Sequence, residues 1–530
     1  MNCALLLVAA LGTSPEGKLP ITGLGAARIE SPQCVYQYRV STPSADCQRY
    51  CDQALGCYYS YIWMEAARNF ETALYYDPNC AFAWLGLHKA LEKWGKTAIP
   101  KPEPLLALIG PAFKEKLPSK YTKAPKDYAL DMAKSLLKKA SHREALLITA
   151  KLQEKGMWPD TKEDERKKKA TATLDELLTL YEDDEEGWFA RAQIAEGTNG
   201  GTPFYKALLR INPLHPGANH ELVHFFETIK RPALGWQYAE NYIKSSPGLP
   251  HAFHMQSHLA TRIGKWQNTS DWSLKAVELE KAYHKSMSVS PGDDHQFQHH
   301  LETLTRSLVH DGRFAEAKAI KKDAQGYKYN FRPEWIRMAL AEADYTEAAK
   351  LIDDLRKNDK NGAAYFAALM ALAKNEPTRV QAELDVLRQS KPGRKDEKKS
   401  EARVWEIQGR LMCCTGEGEA GLKLLQKAVE KTKDDYAHHA WGNGGSLMES
   451  WGIGALNYSD LKDAEEAFQE ALAHDSGSVR GALGLWLICD RTGRNDEAAR
   501  YLKLAKKCWS RADDRDFDHL KSDMTKQLAE

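Results

Sequence analysis

The amino-acid sequence predicts an all-α fold, a right-handed solenoid of about ten helix pairs. Two observations predict this fold class. Apolar residues recur at the spacing of one helix face, and the strict alternation that is typical of strands is essentially missing. In addition, the same order of small and large apolar residues returns about every 34 residues. Of the 530 residues, 43% are hydrophobic and 28% are charged, which is typical of a folded rather than a disordered chain.

The repeated unit is two short amphipathic helices joined by a tight turn. Its small residues let the paired helices approach closely, and its large residues fill the space between them. The clearest example is Ala464, Phe468 and Ala471, and the same spacing occurs at Ala66 and Phe70. A unit of this length and pattern is typical of tetratricopeptide repeats. We predict helix pairs near residues 47–78, 180–213, 215–247, 250–281, 297–326, 331–360, 362–392, 401–433, 446–476 and 478–510.

The repeats and their interruptions divide the chain into four regions. We predict a leader or extended segment over residues 1–45, N-terminal helical repeats over 46–178, histidine-rich repeats over 179–330 and C-terminal repeats over 331–530. A run of prolines interrupts the pattern near residues 98–125. We expect an extended excursion there, because proline breaks helices.

The chain begins with an apolar run, Cys3–Leu11, that is far too short to span a bilayer, which takes about 20 residues. The run is similar to the core of a secretory signal and is followed by small residues. Only Met1 and Asn2 precede it, so the basic leader of such signals is missing. On the strength of the apolar run and the small residues after it, we favour a periplasmic or exported location over the cytoplasm. We expect no transmembrane segment.

Charge and cysteine content argue against several classes of function. Lys and Arg total 74 and Asp and Glu total 73, so the net charge of +1 argues against a nucleic-acid partner. The ten cysteines include no C-x-x-C pair, which argues against zinc ribbons and thioredoxin-type sites. The early cysteines, between Cys34 and Cys80, either include a disulfide or are small buried apolar residues.

Histidine is concentrated in one part of the chain. Ten of the 17 histidines lie between residues 215 and 300, where an even distribution would place about three. In this region three helices, each in a successive repeat, carry a polar stripe that is separate from the packing residues. The stripes consist of His220, His224 and Glu227, of His251, His254 and His258, and of His299 and Glu302.

Each of these helices is the first helix of its repeat. First helices line the concave surface of a tetratricopeptide array, about 10 Å apart, so we predict that the stripes converge on one patch of the groove. Imidazole and carboxylate groups are ligands for Zn, Fe, Cu or Mn, and a pair at i and i+4 on a helix can hold one ion. The alternative interpretation is a polar groove that binds no metal.

Residues 220–224 also spell H-E-x-x-H. In zinc peptidases with this motif the two histidines bind the metal and the glutamate activates water, so Glu221 is the candidate catalytic residue. Two observations argue against such a peptidase. No strand is predicted nearby, and no G-x-x-H follows His224.

Several segments carry a pattern that is more specific than the repeat itself. They are residues 52–56, 65–70, 77–86, 142–144, 215–220, 250–258 and 509–513. They resemble a family of bacterial tetratricopeptide-repeat proteins with a histidine-rich central region. The chain departs from that family at Glu221, where an aromatic residue is common, and at Gln256, where a proline is usual. The resemblance implies no known reaction. It does imply that five residues belong to the pattern of that family, and they are His220, His224, Glu227, His254 and His258.

The sequence therefore predicts a binding protein whose groove holds a transition-metal ion or a small ligand through the eight residues of the three stripes. Two alternatives remain open. One is a metal-dependent enzyme, a hydrolase or an oxidoreductase, built on the same repeats. The other is a metal-free scaffold that holds a peptide or protein partner in the concave groove.

Overall fold

A computed structural model describes residues 18–29, 33–98, 111–117, 122–159, 162–197, 199–389, 397–433 and 443–528. Within these ranges the chain forms α-helices and short 3-10 turns, and the one extended pairing is an isolated bridge between Lys18 and Gly25. The all-α prediction is confirmed. No helix of the described part is long and apolar enough to cross a membrane. The apolar run at the start and most of the proline-rich excursion lie outside the described residues.

The chain divides into two compact units. Unit 1 comprises Met1–Phe225 and Gln237–Ala252, and unit 2 comprises Phe226–Trp236 and Phe253–Glu530. The region boundaries drawn from the repeats stay predictions. The helices that begin before unit 2's long segment are α1 (Ala45–Tyr59), α2 (Trp63–Tyr76), α3 (Ala81–Trp94), α4 (Pro111–Lys114), α5 (Pro125–Ser135), α6 (His142–Glu154), α7 (Arg166–Leu180), α8 (Glu185–Gln193), α9 (Thr202–Ile211), α10 (Pro216–Thr228), α11 (Trp236–Ser245) and α12 (Pro250–Arg262).

The remaining described helices all belong to unit 2. They are α13 (Trp266–Met287), α14 (Phe297–His310), α15 (Phe314–Gly326), α16 (Arg332–Ala341), α17 (Tyr345–Arg356), α18 (Lys360–Ala373), α19 (Pro377–Gln389), α20 (Glu397–Cys414), α21 (Gly418–Thr432), α22 (Asn443–Asn457), α23 (Leu461–His474), α24 (Val479–Arg491), α25 (Asn495–Cys508) and α26 (Asp514–Lys526).

All ten predicted helix pairs are present, from α1 and α2 to α24 and α25. In unit 2 the helices of a pair pack against each other, as α20 packs against α21. The first helix of a pair also packs against the first helix of the next pair, as α14 does against α16 and α18 against α20. This is the contact pattern of stacked helix-pair repeats, and the prediction of a tetratricopeptide-like α-solenoid is confirmed.

Small residues allow the close approaches that the repeat requires. A Cβ atom on Gly452 of α22 would lie 2.6 Å from the ring of Phe468 on α23, and one on Gly484 of α24 would lie 2.3 Å from that ring. Phe468 itself is fully buried. Three helices therefore pack around one aromatic ring, at positions where even an alanine methyl group would collide.

The helix ends are set by local side chains and by glycine. Asp460 accepts a hydrogen bond from the N–H of Asp463 at 3.0 Å, at the start of α23. Such N-caps satisfy one of the backbone donors that the first turn leaves without a helical partner. Gly312 and Gly493 follow α14 and α24 with φ of 71° and 72°, a conformation that glycine adopts without strain.

In unit 1 an extended segment before α1 lies against the turn that leads into α12. The N–H of Val35 donates to the carbonyl oxygen of Ser245 at 2.8 Å. The N–H of Gly248 in turn donates to the carbonyl oxygen of Gln33 at 3.0 Å. These two bonds fix the backbone just ahead of His251, the second residue of α12.

Candidate metal centres

Six of the eight predicted ligands meet in two groups of three. Within each group, one potential ligand atom of every residue lies within 4.8 Å of those of the other two. The first histidine group, in unit 1, is His220, His224 and His251, and the second histidine group, in unit 2, is His254, His258 and His299. The helical spacing of the second stripe placed His251 on one face with His254 and His258, whereas the structure assigns His251 to the first group.

The first histidine group is positioned by the start of α10 and by the helical repeat. The N–H of Ala218 donates to Nδ1 of His215 at 3.1 Å, so His215 caps the first turn of α10. His220 and His224 follow one turn apart and present their rings on the same side. His220 is fully buried and His251 is 7% exposed, whereas His224 is half-buried. The group is therefore mostly shielded from water and opens to solvent at His224.

The tautomer of His220 follows from its partners. Its Nδ1 atom lies 2.7 Å from the carbonyl oxygen of Tyr59, and a carbonyl can only accept a hydrogen bond, so Nδ1 carries the proton. In the neutral ring Nε2 is then an unprotonated acceptor. The Nε2 atoms of His224 and His251 each lie 3.0 Å from this atom. Two further ring nitrogens thus lie within hydrogen-bonding distance of the lone pair of one imidazole.

Tyr61, in the turn between α1 and α2, covers the first histidine group. Its ring centroid lies 4.3 Å from that of His220, 6.0 Å from that of His224 and 5.6 Å from that of His251. Its φ of 58° is in the left-handed region, which is costly for a residue with a bulky side chain. The surrounding structure therefore holds the tyrosine over the three imidazoles at a cost in backbone strain.

Glu221, the candidate catalytic residue, is linked to this cover. The Tyr61 hydroxyl donates to Oε1 of Glu221 at 2.9 Å. Burial raises the pKa of Tyr61 well above its usual value, and the Glu221 carboxylate raises it further. The phenol is therefore neutral and remains a donor to the carboxylate at physiological pH. Sequence reasoning did not find Tyr61, because neither a motif nor a helix face connects it with the histidines.

In the second histidine group, a carboxylate orients one of the rings. Nδ1 of His258 lies 3.2 Å from Oε1 of Glu227, and Nη2 of Arg262 lies 3.4 Å from the same oxygen. All three side chains are almost completely buried. Burial lowers the pKa of His258 to about 3, against the opposite effect of Glu227, so the ring is neutral. Glu227, one of the predicted ligands, therefore lies beside His258 and is not one of the three residues of the second histidine group.

His254 lies at the centre of the second group. Its ring centroid is 4.2 Å from that of His258, 4.7 Å from that of His299 and 4.0 Å from that of His300. His300 Nδ1 is in turn 2.8 Å from Oε1 of Glu280 on α13. His300 is one of the ten histidines between residues 215 and 300. Its acidic neighbour was not predicted, because Glu280 lies on the packing face of a different helix.

Glu302, the last predicted ligand, is not in either group of three. It is half-buried on α14, one turn after His299. Burial raises the pKa of its carboxyl group, while the neighbouring Arg306 guanidinium lowers it. Arg306 is itself paired with Glu334, with Nε and Nη2 at 3.0 and 2.9 Å from Oε1. The surroundings of Glu302 are thus those of a charge network on α14 and α16.

The cysteines in the described part of the chain are all free thiols, and of the two interpretations of the early cysteines the buried-residue one holds for Cys47, Cys51, Cys57 and Cys80. Three are buried together: Cys47, Cys51 and Cys80 lie with their Sγ atoms within 4.8 Å of one another. The sequence analysis did not find this group. Its only local signal is the i, i+4 spacing of Cys47 and Cys51, which is also ordinary for two buried residues on a helix.

Comparisons with known proteins add little to this picture. No protein-family model matches the chain, and no curated protein matches it. Among solved structures, the chain is similar to that of Naa15/Naa10 bound to HypK-THB, at 13% identity and a TM-score of 0.25, over 91% of this chain and 81% of that one. It is also similar to yeast Tom70, at 13% identity and a TM-score of 0.32, over 91% of this chain and 96% of that one. At these values neither similarity bears on function.

Proposed function

We propose that the protein binds transition-metal ions through its histidine groups. The observation that carries the proposal is the contact of His220 Nε2 with the Nε2 atoms of His224 and His251, both at 3.0 Å. In a tetrahedral site, metal–nitrogen bonds of about 2.0–2.1 Å hold the ligand nitrogens about 3.3 Å apart. Two of the three nitrogen pairs of the first histidine group are therefore already close to this spacing, and the third pair lies within 4.8 Å.

The surroundings of the rings support the same proposal. A histidine that binds a metal usually donates its other ring N–H to a carbonyl or carboxylate oxygen, which fixes the tautomer and makes the ligand nitrogen more basic. His220 donates to the carbonyl of Tyr59 in the first group, and the Glu227 carboxylate is placed to accept from His258 in the second. Each group thus contains one ring that is oriented in this way.

Zn²⁺ is the ion that we would test first. Neutral imidazole nitrogens suit Zn, Cu, Fe and Ni, and three of them leave a fourth position for water or a further ligand. Tyr61 and Glu221 lie beside the first group, which reaches solvent at the half-buried His224. Glu227 and Glu302, which the sequence placed among the ligands, act in this proposal as an orienting carboxylate and as part of a separate charge network.

A metal-dependent hydrolase is the second candidate, and one observation favours it. The carboxylate of Glu221 is held by the hydroxyl of Tyr61, whose ring covers the first histidine group. A carboxylate in that place could accept a proton from water bound at the fourth position, provided that it exchanged the tyrosine for the water. A metal-free scaffold for a peptide is the outcome if no ion binds.

Titration of the metal-free protein with Zn²⁺ tests the proposal. The protein is treated with a chelator, its fold is checked by circular dichroism, and bound zinc is counted by calorimetry and elemental analysis. The variant H220A/H224A removes two ligands of the first group, and H254A/H258A removes two of the second. His142 is exposed and contacts the hydroxyl of Tyr181, so H142A is a matched control.

We expect each double variant to lose one bound zinc ion, and H142A to lose none. If neither double variant bound less zinc than the wild-type protein, the histidine groups would not be the metal sites. If the wild-type protein bound no zinc, copper or iron above the level of the buffer, the protein would be a scaffold without a metal.

A further inference from the structure

The buried cysteine group forms a second kind of site in unit 1. Cys47 and Cys51 lie one turn apart on α1, and Cys80 is the N-cap residue of α3. All three side chains have no exposed surface, and their Sγ atoms lie within 4.8 Å of one another. Two ligands from one helical turn and a third from the start of another helix is an arrangement that can surround a single ion.

We propose that Cys47, Cys51 and Cys80 bind a soft d¹⁰ ion, Cu⁺ or Zn²⁺, as a thiolate site that is independent of the histidine groups. Thiolate sulfur is the ligand that selects these two ions, whereas the imidazole groups accept a wider range. Three converging sulfurs match the three-coordinate geometry of Cu⁺. Zn²⁺ takes a fourth ligand in addition to the three sulfurs.

A small polar network lies beside Cys47. The hydroxyl of Thr42 donates to Oδ2 of Asp77 at 2.6 Å and is also in hydrogen-bonding contact with Cys47. Asp77 is the C-cap residue of α2. Its Oδ1 atom accepts a hydrogen bond from the backbone N–H of Asn79 at 3.0 Å. The carboxylate is therefore fixed in place by two donors, close to Cys47 and outside the group of three sulfurs.

The charge of the group also favours a cation. The Asp77 carboxylate, whose Oδ2 accepts from the Thr42 hydroxyl, adds negative charge beside Cys47. A thiolate in a buried, uncharged or acidic environment is costly, and a bound cation removes that cost.

Ion binding is balanced by the release of protons. The three thiols lose their protons as the metal–sulfur bonds form, and no electron is transferred. Because the three sulfurs are fully buried, the ion enters while the chain folds and leaves slowly afterwards. This differs from the first histidine group, which reaches solvent at His224.

X-ray absorption spectroscopy of the full-length protein tests this inference. The protein is produced in medium with added Zn²⁺ and, separately, with Cu⁺ under reducing conditions, and it is then treated with a chelator. We expect one retained ion with three sulfur neighbours at about 2.3 Å, the usual zinc–thiolate distance. With copper, three sulfurs and no oxygen neighbour support trigonal coordination, and with zinc a fourth, lighter neighbour supports tetrahedral coordination.

Variants separate this site from the histidine groups. C47S and C80S each remove one sulfur, and C57S changes another buried cysteine of α1 outside the group. We expect C47S and C80S to lose the retained ion and C57S to keep it. The variant H220A/H224A should keep the sulfur-bound ion even if the histidine proposal fails.

Any of the following results would overturn the inference. One is a retained metal with only nitrogen and oxygen neighbours in the wild-type spectrum, or no retained metal at all. Another is full metal content in both C47S and C80S. The third is a disulfide among the three cysteines in the purified protein, shown by thiol titration under denaturing conditions. The wild-type spectrum decides the question even if a variant fails to fold.

Discussion

The Nδ1 atom of His220 lies 2.7 Å from the carbonyl oxygen of Tyr59, and this hydrogen bond decides which ring nitrogen faces His224 and His251. The carbonyl belongs to the last residue of α1, in the same turn that carries Tyr61. One turn of the chain therefore sets the tautomer of a proposed ligand and covers the ligand group. On the other side, Tyr242 stacks on His220 with ring centroids 5.1 Å apart.

The cover formed by Tyr61 should control the rate at which the first histidine group releases its ion. Replacing Tyr61 by glycine removes the ring and relieves the strain of its positive φ. We expect Y61G to keep the zinc stoichiometry but to release zinc to a coloured chelator about 10–100-fold faster, since outer partners of metal ligands typically contribute that factor.

The variant Y61F is the matched control for this prediction. It keeps the ring over the three imidazoles and removes only the hydroxyl that donates to Glu221. Its zinc release should stay close to that of the wild-type protein. Equal release rates in Y61G and the wild-type protein would show that the ring does not cover the metal.

Glu227 should act as an orienting carboxylate of the second histidine group. It lies 3.2 Å from Nδ1 of His258 and 3.4 Å from Nη2 of Arg262. We expect E227Q to weaken zinc binding at this group by about 10–100-fold, because a neutral amide supports the ring less well than a carboxylate. Calorimetric titration in the H220A/H224A background isolates the second group.

The same variant should also lose stability. In E227Q the buried Arg262 guanidinium loses the Glu227 carboxylate as its ion-pair partner. Breaking a buried ion pair costs about 3–5 kcal/mol. Chemical denaturation of the metal-free protein measures this change. E302Q is the comparison: Glu302 lies outside both groups, so zinc binding should be unchanged, and a matching loss of affinity in E302Q would contradict the assignment.

The fold was more predictable from the sequence than the sites were. The repeat pattern at Ala464, Phe468 and Ala471 reports packing between neighbouring helices, as Gly452 and Gly484 against Phe468 show, and such local contacts leave a periodic trace. Helical spacing likewise placed His220 and His224 on one face. It could not show that their third neighbour is His251, because the choice among neighbouring histidines depends on how whole helices cross.

Other parts of the sites left no trace in the sequence at all. Tyr61 reaches the histidines from a turn in a distant part of the chain, and Cys80 joins Cys47 and Cys51 only because α1, α2 and α3 pack together. Contacts of this kind come from tertiary structure, and neither composition nor local spacing records them.

Glu221 should be dispensable for zinc binding. It is outside both groups of three, and its Oε1 accepts a hydrogen bond from Tyr61. We expect E221Q to bind as much zinc as the wild-type protein. If the zinc-loaded protein hydrolyses peptides or esters, E221Q should lower the rate by about 100- to 10,000-fold, the usual contribution of a general base.

The two measurements together decide the role of the H-E-x-x-H segment. Hydrolysis that persists in E221Q but is lost in H220A/H224A would leave the metal site intact and remove Glu221 from the mechanism. Hydrolysis that persists in both variants would come from the second histidine group or from a contaminant. Zinc loss in E221Q would instead show that the carboxylate is itself a ligand.

The stability of the metal-free protein should fall as the pH falls from about 6.5 towards 3. Burial lowers the pKa of His215 to about 3, compared with about 6.5 in an unfolded chain. Between these values the unfolded chain binds a proton that the native His215 does not, so the free energy of unfolding rises with pH, by up to about 1.4 kcal/mol per pH unit for one such group. Burial likewise lowers the pKa of His310 to about 3, so it adds to the same slope.

The variant H215N isolates one of these protons. Nδ1 of His215 accepts from the N–H of Ala218, and the asparagine side-chain oxygen can accept in the same N-cap position without titrating. The slope of the free energy of unfolding against pH counts the protons that the chain takes up when it unfolds. We therefore expect H215N to reduce this slope between pH 4 and 6 by the equivalent of up to one proton. Denaturation curves across this range in the presence of chelator measure it. H142N, at an exposed histidine, should leave the slope unchanged, and an equal slope in H215N and the wild-type protein would mean that His215 is protonated in the native state.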